Sequence, residues 1–301
     1  MRLAVSPSET SKETRLLLSQ LILFGVSMGC LYALIAIGFV MIWNTAAVVN
    51  FAQGEFAMFG MFLAFTAHSL WGLPLWLSLP LAVIGTAVLG YFTERGLIRP
   101  ILGSDPLSVI MVTIGLQIFF SNGAKVIWGT QPYPFPNYLG SSVWRVAGLL
   151  LSFQSIATII IIITMAVLLH VLSQKTRFGK KLRAVAQDRE IAGLMGIKVD
   201  QTIAYGFALS AGLAGVAGVL MAPIVFVSAD IGLPLLIKSF IAAVIGGFGS
   251  YPGALIGGIL IGVMDNLVGF YISTDYRDVI SFLILILILL ARPEGLFPHH
   301  R

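Results

Sequence analysis

The chain has 301 residues, of which 58% are hydrophobic and only 10% are charged, and its mean hydropathy is +0.97. Soluble domains carry about 25% charged residues, so this composition excludes an ordinary soluble protein. The net charge of +5 does not indicate nucleic-acid binding, because the basic residues flank apolar runs, as the positive-inside rule expects. The single cysteine, Cys30, lies within an apolar run and excludes a disulfide framework.

Apolar runs recur along the chain, each long enough to cross as a helix a hydrocarbon layer about 30 Å thick. A transmembrane barrel would need segments that alternate between apolar and polar residues, and runs such as residues 280–290 do not alternate. The sequence therefore predicts an all-α, polytopic membrane protein. In chain order, the candidate spans are residues 16–43, 55–71, 75–92, 107–128, 149–172, 203–227, 235–248, 254–271 and 279–290.

The distribution of basic residues predicts the orientation. Residues 173–190 carry six of the 18 Lys and Arg residues, which indicates that this segment faces the cytoplasm. Counting back through the spans would put the N-terminus outside, although the basic residues before the first span favour the inside. One resolution is a broken or re-entrant element at residues 44–54, since discontinuous helices at membrane depth are common in transporters. We therefore predict eight to ten transmembrane helices.

The stretch VVNFAQGEFAMFG, residues 48–60, places Asn50, Gln53 and Glu55 between apolar runs. Such groups at membrane depth usually face a bundle interior or a cavity, because an unpaired buried charge is costly. They could contact a transported substrate or support a broken helix. We favour support: Asn50 could cap the helix that follows, and Glu55 in its first turn would complement the helix dipole. The same pathway or support role is predicted for two residues of a later span, Gln117 and Asn122.

Five other polar residues near membrane depth are predicted to be structural. Lys125, Asp230 and Lys238 lie near predicted outer ends of spans, where we expect them at an interface or capping a broken helix. Asp265 and Asn266 lie deeper, and we expect them to form hydrogen bonds between helices. Glycine-rich stretches at residues 25–29, 206–218 and 246–262 predict close approach of helix backbones.

From Arg183 to Gly196, a helical period of roughly 100° per residue separates an apolar arc from a polar one. This pattern predicts a short amphipathic helix outside the membrane. The helix could lie on lipid headgroups or dock a cytoplasmic partner. The pattern alone leaves both interpretations open.

Four motifs in order, "LYALIAIGFVMIW…VVNFAQGEFAMFG", "RFGKKLRAVAQDREIAGLMGIKV", "GGFGSYPGALIGGILIG" and "RPEGLFP", resemble the LivH-type permease of branched-chain amino acid ABC importers. The resemblance covers residues from about 25 to 298. It implies a permease that translocates branched-chain or other hydrophobic amino acids across the bacterial inner membrane. It also implies a second, LivM-like permease, two cytoplasmic ATP-binding subunits and a periplasmic substrate-binding protein. One departure is Gln53, where close relatives often have His, so any His-dependent titration would be absent.

The same resemblance assigns the basic loop to coupling with the ATPases. The residues so implied are Gly179, Arg183, Ala184, Gln187, Asp188, Ala192, Met195 and Gly196. The expected organisation is a polar N-terminal segment (1–15), a single transmembrane permease domain (16–298) and a short tail (299–301). The cytoplasmic coupling loop (173–202) would lie within that domain.

Catalytic and cofactor patterns point away from an enzyme. The sequence contains no G-x-x-x-x-G-K-[ST] pattern, so ATP and Mg²⁺ are expected in the partner subunits. The four histidines show no spacing typical of metal ligands, and we expect this chain to bind no metal or cofactor.

Three alternatives remain at this point. The same scaffold could carry urea or another small amide. An ion-coupled secondary transporter would need intramembrane acids, for which Glu55 and Asp265 form the plausible pair. A membrane anchor would explain the basic loop but not the glycine-rich spans.

Overall fold

The computed structural model describes residues 7–137, 143–146 and 149–297. The start of the predicted N-terminal segment and the predicted tail at residues 299–301 lie outside the described residues. The described chain forms eleven α-helices and one pair of strands. In order these are α1 (Pro7–Ala46), α2 (Gln53–Phe65), α3 (Leu75–Thr93), α4 (Pro106–Trp128), β1 (Val143–Val146), β2 (Leu149–Ser152), α5 (Phe153–Lys175), α6 (Arg177–Gln187), α7 (Arg189–Leu194), α8 (Val199–Met221), α9 (Gly232–Gly246), α10 (Tyr251–Tyr271) and α11 (Arg277–Ala291).

Six helical stretches of the described chain are long and apolar enough to cross a membrane. They are Leu16–Ala46 within α1, Leu75–Ile101, which extends α3 by a π-helical and a 3₁₀ turn, and the whole of α4, α5, α8 and α10. The helix α9 is apolar but has only 15 residues. The predicted class, a helical multi-pass membrane protein, is thus supported, whereas the predicted count of eight to ten spans is not confirmed.

Glycines bring α1 and α10 into backbone contact. Gly25 and Gly29 of α1 face Gly258 and Gly262 of α10, and a Cβ at Gly29 would lie 2.7 Å from the carbonyl oxygen of Gly258. The helix α8 approaches α2 in the same way at Gly218. Small residues permit such contact between membrane helices, so the predicted packing role of these motifs is confirmed.

The core is built largely from α1, α2, α8 and α9, whereas large outward-facing apolar side chains are most numerous on other helices. Phe39 of α1, Phe56 of α2 and Phe207 of α8 are fully buried. In contrast, α3, α4, α5 and α11 present large apolar side chains outward, such as Trp76 and Phe119. An apolar surface of this extent suits lipid or another membrane subunit rather than water.

A short hairpin precedes α5. The strands β1 and β2 are antiparallel, with Val143 opposite Ser152 and Val146 opposite Leu149. Ser152 then caps α5, because its hydroxyl accepts a hydrogen bond from the amide of Ser155 at 3.4 Å. The span predicted at residues 149–172 therefore starts too early: its first residues are apolar but belong to β2.

Candidate functional site

Non-helical residues 47–52, here called the break, separate α1 from α2. Ala47 starts the break with a φ of +50°, and the chain then turns back along α1. Gln53 is the first residue of α2, and its side-chain amide occupies the space where a side chain on Gly38 would lie. Gly38 is eight residues before the end of α1, which is about 12 Å of helix. The described chain is therefore non-helical within residues 44–54, and α2 begins about two turns back from the end of α1. A re-entrant path through the membrane stays a prediction.

Asn50 shapes the break rather than capping α2. Its Oδ1 accepts a hydrogen bond from the amide of Ala52 at 3.1 Å, and its carbonyl accepts one from Gln53 at 3.1 Å. Ala52 occupies the cap position and provides no side-chain hydrogen bond. The predicted capping role of Asn50 is wrong, because its side chain closes a tight turn just before the helix, as Asn commonly does.

Gln53 ties three helices together. Its Nε2 donates to the carbonyl of Ser210 in α8 at 3.3 Å, and the Ser210 hydroxyl lies 3.2 Å from its Oε1. The same hydroxyl donates to the carbonyl of Gly38 in α1 at 2.8 Å. All three residues are interior, and Gln53 is completely buried. Its partners are therefore protein groups, which fits the support interpretation of the sequence.

Glu55 lies in the first turn of α2, as predicted, and is 1% exposed. Its Oε1 accepts a hydrogen bond from Nε2 of Gln117 at 3.0 Å. The carboxylate fits against Gly232, the first residue of α9, where a Cβ would overlap it. Glu55 therefore lies at the N-termini of two helices, whose free amide groups favour a negative charge. Its Oε2 has no hydrogen-bond partner among the described residues.

A row of polar side chains on α4 holds the chain that leads into α9. Gln117, Ser121 and Lys125 are spaced four apart, so they lie on one helix face. Ser121 donates to the carbonyl of Ala229 at 3.1 Å, and Lys125 lies 2.7 Å from Oδ1 of Asp230. The sequence interpretation missed Ser121, although its spacing from Gln117 and Lys125 marked the row.

The five predicted pathway or support residues are not all together. Glu55 and Gln117 are in direct contact, and Asn50 and Gln53 occupy the adjoining turn. Asn122 lies apart: it is exposed and donates to a carbonyl one turn earlier in its own helix, at 2.8 Å. An isolated polar residue in a span gave no indication of the helix face on which it would lie.

A second polar cluster joins α9, α10 and α11. Lys238 Nζ lies 2.6 Å from Oδ1 of Asp265 and 2.8 Å from Oδ1 of Asp278, and Ser281 bonds both Lys238 and Asp265 at 3.1 Å. The predicted interhelical bonding of Asp265 and Asn266 is confirmed, since Asn266 donates to a carbonyl of α1. Lys238 does not cap a helix, and its predicted place near an outer end of a span stays a prediction. It lies within α9 and is 5% exposed, where a charge needs close partners.

The basic segment forms two helices, α6 and α7, so the single helix predicted over residues 183–196 is wrong. Asp188 has an extended backbone (φ −157°, ψ 116°) and separates them. Its Oδ1 accepts a hydrogen bond from the amide of Ile191 at 2.9 Å and thereby caps α7. An Asp that bonds the backbone in this way competes with helix continuation, and hydrophobic periodicity does not detect it.

Several residues implied in coupling are held by the protein itself. Gly179 packs against backbone carbonyls at the end of α5. Arg183 donates to Oε1 of Gln174 at 2.8 Å, and Ala192 is buried. These contacts fix α6 and α7 to the bundle. Two further residues implied in coupling lie on α6: Ala184 is partly buried and Gln187 is exposed.

Three apolar residues are exposed in and just after α7. Ile191, Leu194 and Met195, here called the apolar tip, are 59%, 84% and 78% exposed. Gly196 ends the tip with a φ of +80°. The tip is the surface on which a partner could bury apolar side chains.

One cavity of about 630 Å³ connects the break with the basic segment. Its walls are the end of α1 and the break (43–49), residues between 102 and 110, and the junction between α6 and α7 (185–189). The break and the α6–α7 junction therefore lie close to the same open space.

Comparison with known proteins shows the family to which this chain is similar. Residues 21–289 match the family described as "Branched-chain amino acid transport system / permease component". The chain is 36% identical over 286 residues to the high-affinity branched-chain amino acid transport system permease protein LivH of Escherichia coli K12, covering 90% of this chain and 92% of the relative. It is 34% identical over 285 residues to BraD of Pseudomonas aeruginosa, covering 90% and 93%.

More distant proteins also match. The permease protein LivM of Escherichia coli K12 is 23% identical, covering 90% of this chain and 68% of LivM. The solved structure of PsaBC from Streptococcus pneumoniae in complex with Fab has a TM-score of 0.50 at 9% identity, covering 90% of this chain and 91% of that one. The latter likeness concerns the fold alone. With the family match over most of its length, the chain belongs to the permease components of branched-chain amino acid transport systems.

Proposed function

We propose that this chain is the transmembrane permease subunit of an ABC importer for branched-chain or other hydrophobic amino acids. The observation that carries the proposal is the shared cavity, because the break in the membrane helices and the junction of the basic segment both line it. ATP-driven movement at α6 and α7 would thus act beside the break that precedes α2. The chain would supply the translocation path and would transmit the movement of the ATPases to it.

The proposed partners follow the division of labour in such importers. ATP hydrolysis, with ATP and Mg²⁺, would reside in two cytoplasmic subunits, because this sequence has no phosphate-binding loop. A second, LivM-like permease would complete the pathway, and the match to LivM proteins supports this. A periplasmic binding protein would deliver the substrate to the bacterial inner membrane.

The proposed orientation follows from the cavity. If the basic segment is cytoplasmic, the end of α1 that shares its cavity is also on the cytoplasmic side. The helix α1 would then enter from outside, with its N-terminus at the outer surface. Adding α2, α9 and α11 to the six long helices gives nine membrane-embedded helices, within the predicted range of eight to ten.

The apolar tip is the proposed docking surface for an ATPase subunit. Leu194 is 84% exposed on a segment that carries six basic residues. A hydrophobic side chain at the centre of an interface contributes much of the binding energy when it is desolvated. The implied coupling residues Gly179, Arg183, Asp188 and Ala192 would hold α6 and α7 in place, while Met195 would join Leu194 in the contact.

The test is uptake of labelled leucine by the complete complex in proteoliposomes, with ATP supplied on the ATPase side. We expect Leu194→Asp to reduce ATPase retention and uptake together, whereas Leu194→Met should preserve both. Competition by unlabelled leucine, urea and aromatic amino acids would define the substrate class. Uptake by this chain alone, driven by an ion gradient without ATP, would overturn the proposal.

The ion-coupled alternative gains no support from the two acids that it requires. Asp265 is in contact with Lys238, and Glu55 accepts a hydrogen bond from Gln117 at two helix N-termini. Each acid is thus stabilised as part of helix packing.

A further inference from the structure

The cavity between the break and the α6–α7 junction has the dimensions of a ligand site. Pockets for small molecules measure about 300–1,000 Å³ and combine apolar walls with a few polar groups. At about 630 Å³, this cavity falls within that range. It is lined by several branched apolar side chains, contributed by three separate parts of the chain: Val48, Val109, Ile110 and Val185.

Arg189 gives the cavity a cation. It lines the cavity, is partly buried, and forms no ion pair within the described ranges of the chain. Burial lowers the pKa of its guanidinium, so the charge is held where water only partly stabilises it. A planar guanidinium pairs most favourably with a carboxylate, to which it can donate two parallel hydrogen bonds.

Asp188 brings a carboxylate to the same wall. Its hydrogen bond to the amide of Ile191 uses Oδ1. Within the described chain, Oδ2 makes no hydrogen bond and is available to an ammonium group. One cation, one anion and branched apolar walls together match a zwitterion with a branched aliphatic side chain.

We propose that this cavity binds a free aliphatic amino acid that enters from the cytoplasmic side. The choice of ligand and side rests on the proposed function. Arg189 binds the ligand carboxylate, Asp188 binds its ammonium group, and Val109 and Ile110 contact its side chain. Because the ligand touches both the break and the α6–α7 junction, it stabilises the arrangement in which the cavity is open. Accumulated amino acid therefore slows the transport cycle.

The binding test uses the complex of permease and ATPase subunits in detergent, without the substrate-binding protein. Equilibrium dialysis would measure labelled leucine, leucinamide, which lacks the carboxylate, and 4-methylpentanoate, which lacks the ammonium group. We expect saturable leucine binding and at least tenfold weaker binding of the other two. Arg189→Gln should weaken leucine binding at least tenfold and remove the preference over leucinamide.

Two further variants locate the site. Ser104→Trp adds an indole at the exposed rim of the cavity and should block leucine without disturbing the core. Lys181→Gln removes an exposed charge from the same segment, outside the cavity, and should bind leucine as the wild type does. Equal leucine binding by all these proteins would overturn the proposal, as would a co-purified phospholipid that leucine does not displace.

Transport measurements separate this inference from the proposed function. Leucine loaded on the ATPase side should reduce the initial uptake rate of the wild type and of Lys181→Gln, but much less that of Arg189→Gln. ATP-driven uptake that is insensitive to internal leucine, without saturable binding, would refute the cavity site and leave the proposed function intact. Absence of ATP-driven uptake would instead refute the proposed function.

Discussion

Nε2 of Gln117 lies 3.0 Å from Oε1 of Glu55, and this hydrogen bond joins α4 to the place where α2 and α9 begin. The carboxylate also fits against Gly232 at the start of α9. Two helices that begin inside the bundle are therefore held by one buried acid and one amide. The stability of this arrangement can be tested one partner at a time.

Gln117→Leu should destabilise the protein by about 1–3 kcal/mol, because a buried carboxylate would lose its hydrogen-bond donor. Thermal unfolding of the purified protein in detergent would measure the change. Asn122→Leu is the matched control, since Asn122 is exposed and bonds only its own helix. Equal effects of the two substitutions would contradict the importance of the Glu55 contact.

Gly38→Ala should destabilise by about 1–3 kcal/mol, the range for overpacking an interior. The added Cβ would overlap the side-chain amide of Gln53 and crowd the hydroxyl of Ser210. Gly115→Ala is the control, because a Cβ there meets nothing within 4 Å and the change improves helix propensity by up to about 1 kcal/mol. Chemical denaturation in detergent distinguishes the two, and a neutral Gly38→Ala would argue against the close return of the chain.

Asp265→Leu should lower the free energy of unfolding by about 3–5 kcal/mol, because it removes a close partner of the buried Lys238. Adding Lys238→Met should recover most of that loss. The pair between Lys125 and Asp230 is more exposed, so Lys125→Met should change stability by at most about 1 kcal/mol. A double variant no more stable than Asp265→Leu alone would show that the cluster is not a paired charge.

Asp188→Ala should weaken α7, since loss of an N-cap costs about 0.5–2 kcal/mol. Asp188→Asn keeps an acceptor for the amide of Ile191 and should retain the helix. Hydrogen exchange of α7 amides would report the change directly: faster exchange is expected in the first variant and near wild-type exchange in the second. Unchanged exchange in both would mean that Asp188 is not needed to separate α6 from α7.

Much of the fold was predictable because apolar runs and charge distribution directly report long membrane helices. The interruption at residues 44–54 was also detectable, since Asn50, Gln53 and Glu55 are costly between spans. The partners of these residues were not, because Ser210 and Gly232 come from distant parts of the chain and carry no pattern that points back to α2.

The basic segment shows a different limit. A period of 3.6 residues identifies an amphipathic face but not a break within it, and Asp188 ended α6 through a local hydrogen bond. The helical phase changes at that residue, so an arc drawn through residues 183–196 does not describe one helix face. The partners of Lys238 were not predictable for a related reason: both carboxylates lie on other helices.

The glycine contacts between α1 and α10 restrict where the molecule can change shape. Gly29 and Gly258 bring the two backbones together with no intervening layer of side chains. Sliding or rotation would force main-chain atoms to collide, so the two helices must move as a single rigid unit. Any alternation between outward and inward access then falls to the elements around that unit: the starts of α2 and α9, the break, and the pair α6 and α7.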